Sequence, residues 1–134
     1  MLLFSCTYSA LATEWNCAAA DGVFTLSTDC TVNNDIDVTN LLNITGVPDA
    51  AGNLIKLDGG NLNRIFKVKA GGYLIVRNLN LTGGYTTRRG GAVEVGGNEN
   101  VTAKAHFYNS VFHGNSAINA AKKATKIIKN IKVY

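Results

Sequence analysis

Asp35 and Asp37 stand two residues apart, which puts both carboxylates on one face of a strand, where they could bind a hard cation through oxygen. A solvated strand face is the plainer reading of that pair, and no metal or cofactor is assigned. Tyr85, Arg88 and Arg89 lie between Gly83-Gly84 and Gly90-Gly91, forming a basic loop with one aromatic ring. Such a loop can contact an acidic sugar or a phosphate; the alternative is an exposed loop whose charges stay hydrated. His106 and His113 have no Ser or Cys nucleophile beside them, so both are expected to be structural or solvent-facing. No catalytic residue is assigned, because the sequence carries no His-Asp-Ser order, HExxH, P-loop or EF-hand loop.

The cysteines raise redox chemistry instead. Met1-Leu2-Leu3-Phe4 opens a short apolar stretch that closes on Ala10-Leu11-Ala12, so residues 1–12 read as a secretory signal peptide that lacks a basic start. An ordinary first strand or an incomplete gene start is the alternative. Removal of Cys6 with that segment leaves Cys17 and Cys30 as an even pair. Their disulfide would close a loop of about 14 residues, worth about 3 kcal/mol in the chain-entropy model; two buried free thiols are the other possibility. Neither a CxxC nor a histidine cluster points to zinc. Sequons at Asn43, Asn80 and Asn100 are glycosylation candidates on a eukaryotic secretory route, although 16 asparagines make chance sequons common. These features together place the protein outside the cell or on its surface.

The elements that would position these groups are short strands. From Val23 to Phe112 apolar and polar residues alternate with a period of two, clearest in 54–57, 65–68, 73–76, 79–81, 92–95 and 105–107. Glycine pairs at 59–60, 71–72, 83–84, 90–91 and 96–97 separate them and mark tight changes of direction. A longer register is present too: Val76 to Gly83 matches Phe107 to Gly114 at an offset of 31, pairing Asn78 with Asn109. An asparagine recurring beside a turn can satisfy backbone groups on its own coil and the next, as a solenoid requires. The expected fold is therefore all-β, a right-handed parallel β-helix of about four coils over residues 13–117, with a β-sandwich as the alternative.

Gly90-Gly91-Ala92-Val93 resembles the GGA(I/L/V) motif, and Phe112-His113-Gly114-Asn115 the FxxN motif, of polymorphic outer membrane protein repeats. The run from Leu74 to Gly84, followed by these motifs, is similar to right-handed parallel β-helix proteins of the pectate-lyase-like superfamily. The resemblance spans roughly residues 25–117 and implies a surface or extracellular β-helix used in adhesion or in polysaccharide binding and cleavage. It also implies what a lyase would need, namely a calcium-binding group of acids with a base beside it; the acids here look scattered, and Arg77, Arg88 and Arg89 lie elsewhere. After Ala117 no further GGA follows, as in a truncated copy of a longer repeat protein.

The net charge of +4 is segregated: residues 1–63 hold seven acids and one base, residues 64–134 twelve bases and two acids. Five lysines fall in the last thirteen residues, where Ala and Ile recur every three or four positions, so 118–134 reads as a basic amphipathic helix. That tail would cap the open end of the stack, touch an anionic membrane, or have no evolved role. Without the tail the body has no basic stripe, which argues against nucleic acid. Neither clustered carboxylates nor aligned aromatics is visible along the chain. The expected function is a non-catalytic surface or secreted module for adhesion or structural interaction, with a polysaccharide or a cell-surface protein as partner. A carbohydrate-active domain, lyase-like or hydrolase-like, is the alternative.

Overall fold

The computed structural model describes residues 13–118. Residues 1–12, read above as a signal peptide, and residues 119–134, where most of the amphipathic helix was expected, lie outside the described residues. The described chain is all-β and contains no helix. Its strands are β1 (Thr13–Glu14), β2 (Gly22–Leu26), β3 (Cys30–Thr31), β4 (Ile36–Val38), β5 (Leu41–Gly46), β6 (Ile55–Asp58) and β7 (Phe66–Lys69). They continue with β8 (Tyr73–Arg77), β9 (Leu79–Thr82), β10 (Tyr85–Thr86), β11 (Val93–Gly96), β12 (Lys104–Tyr108), β13 (Val111–His113) and β14 (Ser116–Ala117).

No strand pairs with the next in sequence except β1 with β2. Sheet I has the order β1-β2-β5-β8-β12, sheet II β3-β6-β9-β13 and sheet III β4-β7-β11, while β10 and β14 form a small sheet IV. Every pairing is parallel, which two-residue hairpins cannot make and a β-sandwich of hairpins would not show. The chain thus passes the sheets in turn and returns to each beside its previous pass. Phe107 lies against Val76 and Phe112 against Leu81, the offset of 31 read from the sequence.

The two-residue alternation decides what is buried. Leu42, Ile44, Leu74, Val76, Ala105 and Phe107 point inward from sheet I, Leu57 and Leu81 from sheet II, and Ile36, Val38, Phe66, Val68 and Val93 from sheet III. All meet in one core, and each large side chain contributes about 1.5–3 kcal/mol by leaving water. At the β1 end, Trp15 is buried against Phe66 with ring centroids 6.1 Å apart. Beside it Cys17 and Cys30 form a disulfide, as the even pair suggested.

Corners are built from amides and glycine. Asn78 and Asn109 follow β8 and β12 in the left-handed region, at φ 59° and 48°, where Asn is tolerated better than most residues. Asn109 Nδ2 donates to Asn78 Oδ1 at 2.8 Å, and Asn78 Nδ2 to the Gly46 carbonyl at 3.4 Å, which links successive passes as a ladder. The two sequence motifs pack on each other in the same way. A Cβ on Gly91 would fall on the Ser116 carbonyl, while Asn115 accepts from the Gly84 amide at 2.8 Å and donates to the Leu81 carbonyl at 2.9 Å.

Candidate functional site

On the outer face of sheet III, parallel register aligns Asp37, Lys67 and Glu94 in one row across β4, β7 and β11. Asp35 precedes β4 on the same side, because Ile36 between the two aspartates is buried. Arg64, just before β7, is the residue that joins this face to its surroundings. It is 6% exposed, the one buried charged residue among those described.

Its guanidinium is used from every side. Nη1 donates to Asp35 Oδ2 at 2.8 Å, and Nη2 pairs with Glu94 Oε2 at 2.9 Å. Nη2 also donates to the Arg89 carbonyl at 2.9 Å and to Thr86 Oγ1 at 3.3 Å, while Nε reaches the Gly90 carbonyl at 3.1 Å. Burial of a charge is tolerable only with such partners, so the cluster explains why an arginine can sit here at all. A second, half-exposed pair runs from Lys69 Nζ to Asp37 Oδ2 at 2.7 Å.

Asp35 and Asp37 lie on this face, and the loop of Arg88 and Arg89 borders it through its backbone. Asp35 and Asp37 do share a side, but each faces a cation rather than the other, one on Arg64 and one on Lys69. Among the described residues, no group of three or more His, Cys, Asp or Glu is arranged to hold a metal ion. Tyr85 lies in β10, half-buried, with its amide on the Asn63 carbonyl. Arg88 and Arg89 are exposed, yet their loop is fixed from within, since the Arg88 amide donates to Thr86 Oγ1 and the Arg89 carbonyl accepts from Arg64. The basic loop is therefore a positioned feature and not a slack one.

The sequons fare differently. Asn43 lies mid-strand in β5 with Oδ1 accepting from Arg77 Nη1 at 3.2 Å. Asn80, in β9, keeps Oδ1 buried without a hydrogen-bond partner. Asn100 is exposed in the loop before β12, and its amide donates to Asn98 Oδ1 at 3.0 Å. His106 faces outward between the buried Ala105 and Phe107 as expected, and His113 ends β13 exposed.

Arg64 and Glu94 were not among the sequence candidates. Glu94 was legible as an outward position of 92–95, in line with Lys67. Arg64 gave no local signal, for its partners lie 29 residues before it and 30 after. Chemically the cluster is a clamp across three passes: both carboxylates neutralise one guanidinium, and that guanidinium holds the loop from Thr86 to Gly90. Comparison with protein-family models, with curated proteins and with solved structures finds nothing that matches this chain.

Proposed function

We propose that this chain is a right-handed parallel β-helix module that acts without catalysis, as an adhesive or structural element outside the cell or on its surface. Its partner is a polysaccharide or a cell-surface protein. The winding past sheets I, II and III in a repeated order, joined by the Asn78–Asn109 ladder, supports the solenoid, in which each pass buries its face on its neighbours. The Cys17–Cys30 disulfide supports an oxidising compartment.

One observation carries the non-catalytic reading. The carboxylates of the sheet III face are each paired with a cation, Asp35 and Glu94 with Arg64 and Asp37 with Lys69, so this face presents no unpartnered pair of the kind a glycosidic site uses. A carbohydrate-active role that used Asp35 or Glu94 would have to break their pairing with Arg64. Incubation with a panel of acidic and neutral polysaccharides, followed by chromatography of the polysaccharide, tests the proposal. The expected result is retention of ligand with no shortening of its chains. Shortening that disappears in Asp35→Asn or Glu94→Gln would replace the reading with an enzymatic one.

A further inference from the structure

The outer face of sheet I differs in kind from that of sheet III. Register places Tyr73 beside Lys104, Ile75 beside His106 and Arg77 beside Tyr108, three rows across β8 and β12 that span about 13 Å along the strands. The tyrosine hydroxyls converge on the imidazole between them: each lies 3.4 Å from His106 Nδ1. The ring centroids of Tyr73 and Tyr108 are 5.3 and 6.3 Å from that of His106, both edge-on at 75°. The Arg77 guanidinium lies 4.8 Å above the Tyr108 ring and Lys104 Nζ 5.9 Å from that of Tyr73. None of the outward positions of β5, β8 and β12 is a carboxylate. On sheet III the cations Arg64 and Lys69 meet acids; here Arg77 and Lys104 meet ring faces and an amide.

We infer that this face is a binding site for a sulfated polysaccharide chain. The inference rests on the reading of the chain as a non-catalytic binding module, and assigns that module a face and a ligand class. Across β5, β8 and β12 the charge is positive and no carboxylate stands among the outward positions, so the ligand is anionic. Ile75 supplies apolar surface for the C–H face of a sugar ring, while hydroxyl, imidazole and ammonium groups supply donors. Arg77 Nη1 is held by Asn43 and its plane covers Tyr108, so the two-pronged fork that suits a planar carboxylate is partly spent. Sulfate esters along a chain, with acceptor oxygens pointing several ways, use the donors at the two ends of the patch better, Lys104 beside Tyr73 and Arg77 beside Tyr108. Stacked nucleobases would compete with those same cations for the ring faces, which disfavours single-stranded nucleic acid.

The test is fluorescence polarisation of labelled dextran sulfate with the full chain, produced without N-glycans because Asn43 is a sequon on this face. Neutral dextran, polygalacturonate and poly(dT) serve as competitors. Wild type should bind, with dextran sulfate the strongest competitor. Arg77→Gln and the charge-neutral Tyr108→Leu should each weaken binding by about fivefold or more, against less than about twofold for Lys56→Gln on sheet II. Should Tyr108→Leu lose its fold, the double variant Tyr73→Phe/Tyr108→Phe keeps both rings and should still weaken binding about threefold. The inference is overturned by no binding, by equal losses in Lys56→Gln and Arg77→Gln, or by an unchanged Tyr108→Leu. Stronger competition from polygalacturonate or poly(dT), or a loss confined to Arg88→Gln/Arg89→Gln, overturns it too. Cleavage of a polysaccharide would instead sink the non-catalytic reading and leave these ratios intact.

Discussion

Replacing Arg64 by Met removes the guanidinium while keeping an unbranched side chain of similar reach, and so isolates the clamp. The loss has two parts: Asp35 and Glu94 lose their cation, and the Arg89 and Gly90 carbonyls and Thr86 hydroxyl lose a donor. Removing one partner of a buried ion pair costs about 3–5 kcal/mol. Asp35 and Glu94 are 34% and 23% exposed, so water recovers part of that loss and a value of about 3 kcal/mol is expected. With a urea slope of about 1–3 kcal/mol/M, the midpoint should fall by roughly 1–3 M. The triple variant Arg64→Met/Asp35→Asn/Glu94→Gln strands no charge and should regain about 1 kcal/mol or more. Limited trypsin digestion should also cut faster after Arg88 and Arg89 in Arg64→Met, because their loop has lost its anchor. A midpoint shift worth less than about 1 kcal/mol, or a triple variant less stable than the single one, would refute this account of the cluster.

Asn78→Ala should cost about 2–3 kcal/mol in the same urea assay, for left-handed strain plus the ladder bonds, and Asn78→Gly clearly less because glycine accepts φ 59°. Cys17→Ser/Cys30→Ser should lower stability by about 3 kcal/mol and abolish any sensitivity to reductant. Gly91→Ala drives a methyl onto the Ser116 carbonyl and should cost about 1–3 kcal/mol, whereas Gly96→Ala, with nothing within 4 Å of the new methyl, should stay within about 0.5 kcal/mol. The Asp49 carboxyl lies below its ordinary value, held first by the Asn53 amide and further by Asn53 Nδ2 and the Ala51 amide. A lowered folded value stabilises the loop above the ordinary Asp range and loses that support as pH falls through the folded value, so the protection of the Ala51 and Asn53 amides, taken relative to their intrinsic exchange rate at each pH, should fall only in acid.

The parallel stack was legible because inward residues alternate strictly and because Asn78 and Asn109 share both a corner and an offset of 31. Sheet III was not legible, since its passes differ in length: Asp37 meets Lys67 and Lys67 meets Glu94 across unequal segments. No fixed period could therefore bring Asp35, Arg64 and Glu94 together. On sheet I, Tyr73, His106 and Tyr108 gather into an outward cluster that hydrophobic alternation does not reveal. Their spacing was in fact available, as the offset that matched Val76 to Phe107 also matches Ile75 to His106. The inward positions carry the hydrophobic pattern, and the outward ones carry the chemistry.

Backbone NOE spectroscopy across β8 and β12 tests the central claim most directly. In-register parallel pairing of Tyr73–Arg77 with Lys104–Tyr108 predicts amide-to-Hα cross-peaks that step along both strands in the same direction. Strong Hα–Hα cross-peaks with opposed numbering would mark an antiparallel pair, and with it the stacked passes, the ladder and the faces built on them would fall.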